Sequence, residues 1–286
     1  GFVSAWLAIR ARPDSADGST IRINGDVVEV GKSVSSKTAR RVAVVISLIV
    51  GVIFGSQFNA NWSEILLMFN AQSFGTTDPQ FGLDNGFYVF VLPGLKLVLA
   101  AVAMLLGVGL VFSVVTHVLM GGIRITMPVN GRGLFSITKR CRRQLGIWLM
   151  LNMFAWAVRQ MIGVFDQLTV QGSRITGASY TAVHANIPVT FIMAALTAIL
   201  GVVLGIWLMR SHTLEGQASI GVRASAALKA WRVPVTSIAV VVVVGLVLTV
   251  AWPVLLQRFR VNPNAQEMES TYIQRNIDAT RAAYGL

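Results

Sequence analysis

The sequence predicts an all-α fold: a polytopic transmembrane helix bundle of five full spans plus one partial span, with a small cytoplasmic β-hairpin. Three observations carry this expectation. Apolar residues make up 54% of the chain and charged ones only 13%, against roughly one charged residue in four for a soluble domain. The apolar residues fall in uncharged runs that approach or exceed the roughly 20 residues needed to cross a bilayer core. The 24 Lys and Arg residues lie almost entirely between those runs, rich and poor segments alternating. A net charge of +12 would also suit nucleic acid. Here, however, the basic residues are scattered through short loops instead of forming one aromatic-laced face, so membrane topology accounts for them and no nucleic-acid partner is expected.

In chain order, residues 1–9 are apolar but too short to span. They lack the basic start and small-residue cleavage site of a signal peptide, and read as the end of a truncated transmembrane helix. The segment 10–41 is a loop in which 20–23 and 27–30 flank Asn24-Gly25, the dipeptide that suits a type I′ turn, so a β-hairpin is expected over 20–30. The bundle itself covers 42–257, with helices at about 42–58, 93–118, 140–165, 186–209 and 233–257. Helices are the reading these runs allow, because lipid offers no water to unpaired backbone groups. Between the first two, residues 62–70 read as a short interfacial helix with Trp62, Ile65, Leu66 and Phe69 on one face. Asp78-Pro79, Gly82 and Asp84-Asn85-Gly86 then supply turns. The alternating stretch 123–126 is a possible third strand for the hairpin.

Orientation follows from the basic residues, which disfavour translocation. Segments 10–41, 119–143 and 210–232 together hold seventeen, whereas 59–87, 166–184 and the tail after 257 hold five. The first set is expected to be cytoplasmic. That arrangement puts the C-terminal tail, 258–286, on the extracytoplasmic side of a multi-pass protein of the plasma membrane.

Few residues are candidates for chemistry. Arg159 lies inside a spanning run, where a charge must be paired, wetted or able to snorkel; it sits within two turns of the outer end and is expected to snorkel to the headgroups, with pairing to Asp166, seven residues on along the same helical face, as the alternative. Lys96 sits just inside the end of its helix and is expected to snorkel. Glu64, Asp78 and Asp84 all fall on the outer side, either as an acidic site or, more simply, as capping residues. His117, His184 and His212 share no metal-ligand spacing, and Cys141 is the sole cysteine, so no metal or cofactor is expected and no catalytic motif stands out. Lys139, Arg140, Arg142 and Arg143 read as an anchor to anionic lipid. Gly51/Gly55 and Gly201/Gly205 place small residues four apart, a helix-packing device.

Three stretches resemble a known family. Asp78-Pro79-Gln80-Phe81-Gly82 followed by Gly86-Phe87-Tyr88-Val89-Phe90-Val91-Leu92-Pro93 is similar to a hallmark of the large bacterial membrane proteins grouped as uncharacterised protein family 0182. Gly177-Ala178-Ser179-Tyr180-Thr181-Ala182-Val183-His184-Ala185 resembles a second hallmark. Gln257-Arg258-Phe259-Arg260-Val261-Asn262-Pro263-Asn264, with Tyr272-Ile273, Asn276-Ile277 and Thr280 to Leu286, resembles a third. The resemblance implies about seven N-terminal transmembrane helices followed by a large exported domain, with 258–286 as the junction to that domain. It implies no active-site residue.

Three functions compete. The first expectation is a membrane anchor or assembly platform in the bacterial cell envelope, with membrane lipids and other envelope membrane proteins as partners. An alternative is a transporter or channel for a lipid or small anion, although no internal repeat of the kind transporters show is visible. A third is an envelope enzyme acting on a lipid-linked substrate through the outer carboxylates.

Overall fold

A computed structural model describes residues 19–23, 26–30, 41, 44–45, 47–53, 55–56, 61–119, 123–125, 135–169, 177–211 and 220–285. Strands β1 (Ser19–Ile23) and β2 (Asp26–Val30) pair antiparallel, with Ile23 opposite Asp26; the Asn24-Gly25 turn itself lies outside the described residues. Strand β3 (Ile123–Ile125) does not extend that pair. It joins β4 (Phe135–Ile137) in a sheet of its own, because a second extended stretch on the far side of the same loop supplies a nearer partner.

Helices dominate the remainder: α1 (Trp62–Phe69), α2 (Leu92–Leu119), α3 (Lys139–Gly163), α4 (Ile187–Arg210), α5 (Ile220–Leu246), α6 (Trp252–Leu256) and α7 (Ala265–Tyr284). Helix α5 begins in the segment expected to be a loop and carries Pro234 in its interior. Joined with their flanking turns, these elements give four helices, among the described residues, that are long and apolar enough to cross a membrane: Phe87–Val118, Lys139–Leu168, Ala182–Arg210 and Trp231–Val261. Within the expected span 42–58, residues 44–45, 47–53 and 55–56 are helical and the others lie outside the described residues, as does the whole of 1–9.

Among the described residues, four π turns interrupt the α geometry, at Phe87–Val91, Ala182–Asn186, Val247–Ala251 and Gln257–Val261. In each, an amide reaches back five residues instead of four: Leu92 to Phe87, Ile187 to Ala182, Trp252 to Val247 and Asn262 to Gln257. Each turn is followed at the same spacing by a proline, namely Pro93, Pro188, Pro253 and Pro263. The cause is steric. Proline has no N–H and its ring crowds the carbonyl four residues back, here Val89, His184, Thr249 or Phe259, the central residue of each π turn. Widening the turn lets the helix pass that carbonyl without breaking.

The chain divides into two compact units, each described by itself. The first comprises Gly1–Ala60, Ala101–Asn152 and Gly201–Ser237. Within it α2 and α3 share a close seam: a Cβ on Gly109 would come within 2.6 Å of the Trp148 ring, and Asn152 Nδ2 donates to the Leu106 carbonyl at 3.1 Å. Gly146 of α3 meets Gly205 of α4 almost backbone to backbone, so that a Cβ on Gly146 would lie 2.9 Å from the Gly205 carbonyl oxygen. The Gly201/Gly205 pattern thus includes a packing glycine, whereas among the described residues nothing lies within 4 Å of a Cβ on Gly51 or Gly55. Ile137, Cys141 and Leu145 form a small buried core with Leu110, Ile123 and Leu208.

The second unit comprises Asn61–Ala100, Met153–Leu200 and Ile238–Leu286. Helix α1 buries none of its residues, and its Trp62, Leu66, Leu67 and Phe69 are exposed. The backbone of α1 rests on Gly94, where a Cβ would come within 2.9 Å of the Glu64 carbonyl. The loop after α1 docks through aromatic edges: Phe81 and Phe87 meet Phe165 with ring centroids 5.0 and 5.3 Å away, a favourable T-shaped arrangement. Gln160 of α3 donates to Thr197 of α4 at 3.1 Å, and Met193 of α4 packs on Gly245 of α5.

Candidate functional site

The carboxylates of the 73–86 loop are occupied by the loop itself. Asp78 Oδ1 accepts the amides of Gln80 and Phe81 at 2.7 and 2.8 Å, and Oδ2 accepts the Leu83 amide at 3.2 Å and the Tyr88 hydroxyl at 2.7 Å. Burial alone would raise its pKa, but the Phe81 amide, the Tyr88 hydroxyl and the Gln80 and Leu83 amides together hold it below the ordinary value. Asp84 accepts from Ser73 Oγ at 2.5 Å and from the amides of Phe74, Gly75 and Gly86. The Ser73 hydroxyl first, then the Phe74 and Gly86 amides, hold it down at about 2. Gly82 supplies a positive φ of 67°, and a Cβ on Gly86 would strike the Gln72 carbonyl. The residues of this motif therefore build a loop. Among the described residues, the Asp78 and Asp84 carboxylates share no partner with each other or with Glu64, which is half-buried on α1.

Asp166 does not pair with Arg159. Lys96 of α2 takes it instead, its Nζ 2.8 and 2.9 Å from the two carboxylate oxygens. Asp166 lies in the 3-10 turn Val164–Leu168 that follows α3, where a lysine from the neighbouring helix meets it. Lys96 thus carries an exposed ion pair to the turn that follows α3. Arg159 is exposed and, among the described residues, makes no hydrogen bond or ion pair.

In the proposed lipid-anchor cluster, Lys139, Arg140 and Arg143 are exposed, whereas Arg142 is 1% exposed. A run of four near-adjacent cations cannot all share one helix face, and Arg142 shares the buried side with Cys141 and Leu145. His117, also 1% exposed, has Nε2 3.1 Å from Gln144 Oε1. His212 lies outside the described residues. No three His, Cys, Asp or Glu among the described residues come together in a way that could hold a metal ion.

The densest long-range constellation joins the turn at 177–186 to α7. Glu269 of α7 is 8% exposed and accepts the Tyr180 amide at 3.2 Å. The Tyr180 ring stacks on His184 with centroids 4.0 Å apart. His184 Nδ1 lies 3.1 Å from the Tyr180 carbonyl, which can only accept, so that nitrogen carries the proton. Tyr272 of α7 brings its hydroxyl to 3.5 Å from the same nitrogen and its ring edge-on to Tyr180, while Arg275 lies over the Tyr272 ring at 5.5 Å. Thr181 bonds Gln257, which in turn donates to Asn262 at 3.0 Å. Two distant sequence motifs thereby form one clamp. Glu269 had no local signal in the sequence beyond its place on the face of α7 that also carries Tyr272 and Asn276, three and seven residues on.

The model of a family described as "Uncharacterised protein family (UPF0182)" matches residues 1–286. A UPF0182 protein of Bifidobacterium adolescentis is 79% identical over the whole of this chain, which covers 26% of that protein. UPF0182 proteins of Corynebacterium efficiens and Kocuria rhizophila are 32% and 34% identical over the whole chain, covering 27% and 26% of their lengths. The chain thus spans about a quarter of the curated relatives it matches. No solved structure matches it.

Proposed function

Because the chain belongs to the uncharacterised protein family UPF0182, we propose that it serves the longer protein as a membrane anchor and assembly platform in the bacterial cell envelope. The observation that carries this reading is the clamp between the 177–186 turn and α7. Helix α7, which follows the Trp231–Val261 span, is tied to that turn by a buried carboxylate, an edge-on ring contact and a hydroxyl. Such a junction suits a chain whose membrane part must hold further structure in a defined place. The outer carboxylates support the same reading, since their hydrogen bonds build a loop instead of leaving a poised acid–base pair.

On this reading the protein is multi-pass in the plasma membrane, with segments 10–41, 119–143 and 210–232 cytoplasmic and α7 extracytoplasmic. The uneven distribution of basic residues supports it. The test uses the full-length protein carrying Glu269→Ala with Tyr272→Ala. The expected result is loss of its high-mass envelope assembly on native gels, with the chain still inserted. Flux of a small anion or lipid through proteoliposomes of the purified protein would overturn the platform reading in favour of transport.

A further inference from the structure

Among the described residues, the last turns of α3 leave one cation without a mate beside an open notch. Arg159 is exposed and has no polar partner among the described residues. A guanidinium on the lipid-facing side of a spanning helix must find an anion or water. Simple snorkelling is handicapped here by direction. Side chains on a helix lean toward its N-terminus, so Arg159 starts out leaning away from the near end of its span at Leu168 and toward the middle of the membrane. Asp166, one further turn pair along, is neutralised by both hydrogen bonds from Lys96 and does not compete for the arginine.

Directly above Arg159, four residues on and on the same face, stands Gly163. Among the described residues, a Cβ placed there meets nothing within 4 Å, so the helix surface is recessed between Arg159 and the membrane boundary. Below, three residues back, the Trp156 indole is 57% exposed and can offer its N–H at the rim of the recess. We propose that Arg159, the Gly163 notch and Trp156 form a binding site for the phosphate of one phospholipid, drawn below the general headgroup level to meet the guanidinium. The notch admits the phosphate, the arginine supplies paired donors that match its oxygens, and the indole packs beside the glycerol backbone. This rests on Lys139–Leu168 crossing the bilayer.

The test places the full-length protein in nanodiscs containing phosphatidylglycerol, delipidates it mildly and counts retained phospholipid by mass spectrometry. Arg159→Met should lower retention by about tenfold, the scale of losing a charge-assisted hydrogen-bonded pair. Gly163→Leu should do the same while leaving the arginine in place, because Gly163 has ordinary right-handed angles (φ −63°, ψ −13°) and free space for the new side chain. Arg159→Lys should retain an intermediate amount. Unchanged retention in either Arg159→Met or Gly163→Leu overturns the site. A photoreactive residue at position 156 that crosslinks to another polypeptide and never to lipid also overturns it, in favour of a partner's carboxylate. Labelling of cysteines along α3 by an aqueous reagent separates the two failures: a labelled helix removes the spanning reading, whereas a protected helix with unchanged lipid removes the site alone.

Discussion

Asp84 organises its loop by accepting the Ser73 hydroxyl and three backbone amides. Asp84→Ala should leave those amides to solvent, and hydrogen exchange at Phe74, Gly75 and Gly86 should rise toward that of an unprotected loop. Acid should act the same way. The folded pKa, about 2, lies below the ordinary 3.8, so the contribution is fully present above 3.8 and is lost as pH falls toward 2. Amide signals of these three residues, followed by NMR through that interval, check the sign. The residue scale was the least legible in sequence. Spacing alone could not show Lys96 arriving at Asp166 from another helix, nor that Arg142 would be buried among its exposed basic neighbours. Side-chain partners of this kind depend on which helices neighbour each other, which local pattern does not encode.

At the level of elements, the clamp on α7 depends on a carboxylate buried against a backbone amide. Glu269→Ala strands the Tyr180 N–H and should destabilise the junction by about 1–3 kcal/mol, read as faster exchange throughout Ala265–Tyr284. Glu269→Gln keeps an acceptor and should recover part of that loss. The α3–α4 crossing depends instead on missing side chains. Gly146→Leu would drive a side chain into Met209 and the Gly205 carbonyl, and overpacking of this sort should cost about 1–3 kcal/mol, seen as a lower melting temperature in detergent. Long helices were legible because uncharged runs leave a membrane-embedded backbone no alternative. Boundaries were less so: α5 starts at Ile220, well before the expected 233, because the polar stretch that precedes the apolar run is itself helical and Pro234 does not end it.

For the whole molecule, composition and the spacing of basic segments carried most of the information, and four span-capable helices stand among the described residues. Ser270→Cys, on the exposed side of α7, should react in intact cells with a membrane-impermeant maleimide, whereas a cysteine placed in the 139–143 segment should react only after lysis. The buried Cys141 should stay silent in both. Reversed labelling would invert the topology while leaving the helices in place. Relatives about four times longer explain why activity was not legible: whatever chemistry the family performs need not reside in this quarter.

The proline-linked π turns have a consequence for how such chains tolerate change. A wide turn holds one more residue than an α turn, so each of the four works as a one-letter insertion in the angular frame of its helix, and the facing of everything downstream is out of phase by about 100° per letter. Two of these offsets, before Pro253 and Pro263, precede α7 and act with the turn at 262–264 on which of its faces meets Tyr180. Replacing Pro253 by alanine should let the turn close and swing Glu269 away from its partner. Deleting one residue from 247–251 in the same variant should bring the face back into phase, so that two changes, each disruptive alone, together restore the clamp.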